Sequence, residues 1–208
     1  MPSSPSSTEP GCAVAGRDVR SAAEKNDARL FVISGPAGVG KGTLVSRVHT
    51  AHPEVYVSVS VTTRFPRPGE VDGTHYHFVS DVHFDELIAS DGLLEWAEVH
   101  GAARYGTPRG PVCAALDAGR PVILEIDVQG AMQVRQVMPT AVLVFIAPPT
   151  WDTLVNRLRG RGAETEEQIA RRLVTARHEL TLEDEFDKVI VNDELDTAVT
   201  ELVEFIGL

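Results

Sequence analysis

The sequence predicts an α/β fold of three layers, with a central, mostly parallel sheet covered by helices on both faces. Two observations carry that expectation. Four apolar runs, "LFVIS", "PVILEID", "AVLVFIA" and "KVIVN", have the continuous character of strands buried on both faces. Between them lie stretches with helical spacing, and strands alternating with helices form parallel sheets. At 208 residues the chain suits one domain with a substantial core.

Residues 1–27 are rich in Ser, Pro and Ala and hold no apolar block, so they read as a disordered tail rather than a secretory signal. The folded domain is expected to occupy 28–208. Its first strand runs from Leu30 to Ser34 and ends in glycines; a helix follows near Lys41 and turns Leu44, Val45 and Val48 inward. Later strands are expected at Pro121 to Asp127, Ala141 to Ala147 and Lys188 to Asn192. Helices are expected at Gln129 to Val137, Trp151 to Leu158 and Leu195 to Ile206.

Two segments break this rhythm. Val55 to Val79 is short, alternating and turn-rich, which suits a small antiparallel or mixed insertion outside the main sheet. "RGRGAETEEQIARRL" is rich in glycine and charge, as expected for a mobile flap.

Bulk charge narrows the partners. The formal net charge is -11, from 19 basic and 30 acidic residues, which disfavours broad nucleic-acid or anionic-membrane surfaces. No run of about 20 apolar residues is present to span a bilayer. The two cysteines, Cys12 and Cys113, lie far apart and read as free thiols, in keeping with a reducing cytoplasm.

The chemistry starts at "GPAGVGKGT", Gly35 to Thr43. A glycine-rich turn between a buried strand and a helix aims backbone N–H groups and the helix dipole at one point, which attracts phosphate. Lys41 adds a full charge for the β/γ-phosphates. Gly35, Pro36, Ala37, Gly38, Val39, Gly40, Lys41, Gly42 and Thr43 are therefore the candidate ATP loop. The loop departs from the Walker pattern at Gly42, where Ser or Thr is usual, and the hydroxyl arrives one position later at Thr43.

A second phosphate can be met in "SVSVTTRFPRPGEVDGTHYHF". Arg64 and Arg67 flank a proline and Tyr76 follows a turn, and arginine's planar fork pairs with phosphate oxygens. Taken whole, the chain from Arg29 to Leu208 resembles the guanylate kinases. The blocks "GPAGVGKGT", "TTRFPRPGEVDGTHYHF", "LLEWAEVHG", "LEIDVQGA", "FIAPP", "RLRGRGAETEEQIARRL" and "DKVIVND" follow one another in that family's order.

The resemblance implies a P-loop NTPase fold with a small mixed β insertion that binds GMP (about 58–108) and a mobile lid (about 157–175). It implies transfer of the γ-phosphoryl group of ATP to GMP, and to dGMP, with Mg²⁺ as cofactor. It implies that Arg64, Arg67, Tyr76 and Tyr105 hold the GMP phosphate and that Ser60, Glu95, Thr107 and Glu125 surround the guanine. Arg157, Arg161 and Arg172 would be the lid arginines, acting with Lys41 and Arg64 in catalysis. Asn192 would lie near the adenine, and Thr43 and Asp127 near the metal, directly or through water. A carboxylate at Glu95 suits guanine, whose ring N–H and exocyclic amino group are adjacent donors; adenine would leave it unpaired, at a cost of ~1–3 kcal/mol. One departure concerns "AEVHGAAR", which is one residue longer than the family's usual spacing and puts Arg104 where a tyrosine is frequent.

Overall fold

A computed structural model describes residues 30–99, 103–160 and 165–208. In chain order its strands are β1 (Leu30–Ser34), β2 (Tyr56–Val57), β3 (Val61–Thr62), β4 (His77–Phe78), β5 (Leu93–Val99), β6 (Ala103–Pro108), β7 (Val122–Glu125), β8 (Val142–Ala147) and β9 (Lys188–Val191). Its helices are α1 (Lys41–Ala51), α2 (Asp81–Ala89), α3 (Arg109–Asp117), α4 (Val128–Val137), α5 (Trp151–Arg159), α6 (Glu166–Leu180) and α7 (Leu195–Ile206).

The main sheet has the order β2-β7-β1-β8-β9, and every pairing in it is parallel. The period of two along each strand divides the apolar residues between two cores. Phe31, Ile33, Ile123, Val144 and Ile146 face α1, α5 and α7, where they meet Leu44, Val48, Leu154 and Leu202. Leu30, Val32, Leu124, Leu143 and Phe145 face α3 and α4, where they meet Val112, Ala131 and Val134. Strands buried on both faces cannot show alternating polarity, which explains their continuous apolar runs. The three-layer expectation therefore holds, and β1 is central, with β7 and β8 on its two sides. Ligands of such sheets bind beyond the carboxyl ends of the strands, where the glycine-rich loop leaves β1.

The second sheet has the order β4-β3-β6-β5 and is mixed: β3 and β4 are parallel, while β3–β6 and β5–β6 are antiparallel. Its own small core consists of Val61, Phe84 and Leu93. Two expectations change. Tyr56 and Val57, assigned to the insertion, belong to the main sheet, because they pair in parallel with Val122 and Ile123. The alternation in "VYVSVSV" runs unbroken across both sheets, so it could not mark where the chain crosses between them. The expected flap is in part a regular helix. Thr165 and Gln168 form a reciprocal capping box that starts α6, and Ile169 and Ala176 are buried. Residues 1–29 and 161–164, which include the predicted tail and Arg161, lie outside the described residues.

Candidate functional site

The loop between β1 and α1 is built around left-handed glycines. Gly35 has φ 135°, and a Cβ there would come within 2.3 Å of the Ile146 carbonyl oxygen on β8. Gly40 has φ 101°, and its missing Cβ leaves room for Asn192, whose Nδ2 would otherwise be 2.6 Å away. Asn192 is buried and donates to the Val39 carbonyl at 2.8 Å. Lys41 folds back over the loop, with Nζ donating to the carbonyls of Gly35 (2.6 Å) and Pro36 (3.1 Å). That pose holds a positive charge over the N-terminus of α1, where an anion is already favoured.

Gly42 lies in the first turn of α1. A Cβ at Gly42 would sit 3.3 Å from Glu125 Oε1, so the residue that departs from the Walker pattern borders the last residue of β7. Thr43 is exposed, and it is not among the residues lining the cavity beside Lys41. That cavity, about 170 Å³, is walled by Gly35, Ala37, Lys41, Asp127, Arg172, Thr175 and Glu179. Arg172, Thr175 and Glu179 recur at helical spacing, so one face of α6 looks into it. Arg172 thus shares a pocket with Lys41.

Arg157 does not share it. Its guanidinium donates to the carbonyls of Asn192 (2.9 Å), Val39 (3.4 Å) and Asp193 (3.4 Å). It lies on α5 and braces the glycine loop from behind, together with Asn192. Asn192 stands beside the same loop, and its buried amide helps hold Val39 in place.

Across the cleft, the insertion gathers a cationic and phenolic cluster. Arg64 makes a two-point contact with Glu70 at 2.9 Å and donates from Nε to the Tyr105 hydroxyl at 3.1 Å. Its guanidinium lies 5.3 Å from the centroid of the Tyr76 ring, and Tyr76 meets Tyr105 edge-on at 5.8 Å. The Arg64 hydrogen bonds lead the effects that hold the Glu70 carboxyl down at about 2, helped by the backbone N–H of Arg67. The Arg67 side chain is exposed. The structure therefore brings Arg64, Tyr76 and Tyr105 together, with Arg67 at the rim and Glu70 as a holder the sequence did not single out.

Residues 100–102, within the segment that is one residue longer than the family's usual spacing, lie outside the described residues. Register beyond them is fixed by the pairs Glu98↔Arg104, Ala97↔Tyr105 and Trp96↔Gly106. Arg104 consequently points away from Tyr105 and Thr107, to Asp81 and Asp85 on α2.

Deeper in the insertion, Glu95 is only 6% exposed and accepts from Thr107 Oγ1 at 2.6 Å. Burial pushes its carboxyl up to about 7; Thr107 opposes the shift, and Asp127 adds to it. Ser60 is half-buried, and its carbonyl accepts from the His77 N–H at 2.9 Å. Glu125, expected around the guanine, lies against Gly42 and within electrostatic reach of Tyr76. It stands open to the cleft yet ringed by protein, which raises its pKa against the pull of Lys41. It also adds to the raised pKa of Tyr76, after burial and Tyr105. Glu125 therefore borders the glycine loop. Asp127, one pleat further along, is nearer Glu95, and its Oδ1 accepts from the Gly130 N–H at 2.7 Å to cap α4.

A further carboxyl, Glu179, is pushed up to about 7 by burial, opposed by Lys41 and aided by Asp127. The sequence signal for it was its two-turn spacing from Arg172. The raised pKa of Glu95 has a stability consequence. Its neutral form is the one favoured by folding, so the folded state binds more protons than the unfolded state between pH 4.5 and about 7. The stabilising contribution of a neutral Glu95 is fullest below pH 4.5 and is lost as pH rises to about 7. Relative to Glu95→Gln, the wild-type unfolding free energy should drop by about 3 kcal/mol over that window in denaturant titrations. A pH-independent difference between the two proteins would contradict the burial.

The sequence family described as "Guanylate kinase" matches residues 27–207. The chain is 56% identical over 179 residues to a guanylate kinase of Cutibacterium acnes, covering 86% of this chain and 90% of that one. It is 58% identical over 175 residues to a guanylate kinase of Streptomyces coelicolor, covering 84% and 88%. Among solved structures, a guanylate kinase from Anaplasma phagocytophilum superposes with a TM-score of 0.71 at 30% identity, covering 86% of this chain and 84% of that one.

Proposed function

Because the chain belongs to the guanylate kinase family, we infer that it transfers the γ-phosphoryl group of ATP to GMP, giving ADP and GDP. The observation that carries this inference is the pairing of two anion sites across one cleft. One is the glycine loop with Lys41; the other is the Arg64, Tyr76 and Tyr105 cluster. The acceptor oxygen of GMP is already anionic, so no general base is needed. Catalysis consists of bringing two charged groups into line and neutralising them.

On this reading Gly35 to Lys41 cradle the ATP phosphates, while Asn192 and Arg157 keep the loop in shape. Arg64, Arg67, Tyr76 and Tyr105 take the GMP phosphate, and Glu70 holds Arg64 ready for it. Glu95 and Thr107 receive the guanine, with Asp127 and Ser60 nearby; dGMP, which shares that base, is accepted too. Arg172, and Arg161 on the segment before α6, close on the transferring group.

Mg²⁺ would arrive with ATP. Among the described residues no three metal-ligating side chains gather into a cage, and Mg²⁺ is commonly bound by one or two carboxylates plus substrate phosphates. Asp127 and Glu125 fit as those hard oxygen donors, direct or through water, because Asp127 lines the Lys41 cavity and Glu125 borders Gly42. Thr43, in the first turn of α1, would add its hydroxyl, directly or through water. Held there, the ion would supply neutralising charge to the phosphates.

The base preference is tested by ADP formation from Mg·ATP with GMP, dGMP, AMP and UMP. GMP and dGMP should be turned over at least a hundredfold more efficiently than AMP or UMP, since a buried acceptor facing the wrong base discriminates strongly (~10⁴ where pairing is complete). Equal turnover of AMP would overturn the guanine assignment.

A further inference from the structure

Gly130 stands in the first turn of α4, where alanine is the better helix former. A Cβ at Gly130 would lie 2.7 Å from Glu95 Oε2 and 3.2 Å from its carboxyl carbon. A free carboxylate could yield to such a contact, but this one is confined. Glu95 is buried, and its other oxygen is held by Thr107. The gap between helix and strand is also pinned, because Gln133 on α4 accepts from the Trp96 N–H at 3.2 Å and donates to the Trp96 carbonyl at 2.9 Å. A methyl group at 130 can therefore be accommodated only by turning the Glu95 carboxylate off its seat.

We propose that Gly130 is a specificity-determining positioning residue: its missing side chain is the notch that seats Glu95 against the first turn of α4, oriented for the two adjacent donors of guanine. This rests on the assignment of Glu95 to the guanine. Asp127, by capping the same turn through the Gly130 N–H, fixes where the notch lies.

The test is Gly130→Ala, assayed with GMP and with inosine monophosphate, which lacks the exocyclic amino group. The KM for GMP should rise at least tenfold, and the preference for GMP over inosine monophosphate should shrink at least fivefold. The KM for ATP should stay within twofold. Glu95→Asp, which retracts the carboxylate by one methylene, should cost less in the Gly130→Ala background than in the wild type, because the clash is then relieved.

Unchanged GMP affinity and preference in Gly130→Ala, or an equal cost of Glu95→Asp in both backgrounds, overturns the proposal. Glu95→Gln separates it from the assignment beneath it. If Glu95→Gln keeps the guanine preference, the assignment itself falls; if it loses the preference while Gly130→Ala keeps it, only the role of Gly130 falls. Should Gly130→Ala fail to fold, the double variant with Glu95→Asp decides: recovered cooperative melting supports the notch, and continued unfolding overturns it.

Discussion

Lys41→Ala is expected to lower the turnover of ATP with GMP by about a thousandfold, with the melting temperature nearly unchanged. Lys41 stands where the sheet, the left-handed glycines and the N-terminus of α1 converge. Its ammonium rests on two loop carbonyls, so it is already poised above the place where a phosphate would enter. A preorganised charge beside developing negative charge contributes ~10²–10³ in rate, because it needs no reorganisation at the moment of transfer. In the resting protein the substitution removes two hydrogen bonds but also relieves the desolvation of a partly buried ammonium, and the two offset, so folding should be little affected. Single-turnover ADP formation at saturating nucleotide reads the effect directly. A loss below tenfold would remove Lys41 from the chemical step.

Arg172→Ala is expected to reduce kcat by about 10³ while changing the KM for GMP little. Arg172 looks from α6 into the cavity that holds Lys41 and Asp127, apart from the sheet that carries the Arg64 cluster. On the proposed function its charge serves the transferring group rather than acceptor binding, and arginines in that role contribute ~10³–10⁵. Arg172→Lys should recover only part of the loss, because an ammonium cannot meet two oxygens with a planar fork. Arg172→Ala with near-normal kcat, or with its whole loss in the GMP KM, would place the residue elsewhere.

How far the sequence disclosed these features follows from the length scale of each. β1, β8 and α7 are long enough for an apolar run or a helical period to show, and all three fall where that pattern put them. β2, β3 and β4 have two residues each, too few for any period, so the crossing between the sheets at Ser58 left no trace. The start of α6 was legible in principle, since Thr165 and Gln168 have the spacing of a capping box, but the glycines and charges before it dominated the composition.

In the site, a residue's place could be read when the motif itself fixed it, as with Lys41. It was hidden when two distant segments decide it together. Glu125 and Asp127 are two residues apart at one strand end, and only the packing of α1 and the insertion sets the first against Gly42 and the second toward Glu95. Asn192 holding Val39 and Glu70 holding Arg64 are hidden for the same reason: nothing local marks either pair.

The most direct test is titration calorimetry with a single molecule that joins adenosine and guanosine through five phosphates. One molecule should bind per chain, at least a hundredfold more tightly than ATP alone, because the second base then binds at a high effective concentration, and either GMP or ATP should weaken it by competition. Binding no tighter than ATP, with GMP unable to compete, would mean that the two anion sites do not serve one reaction.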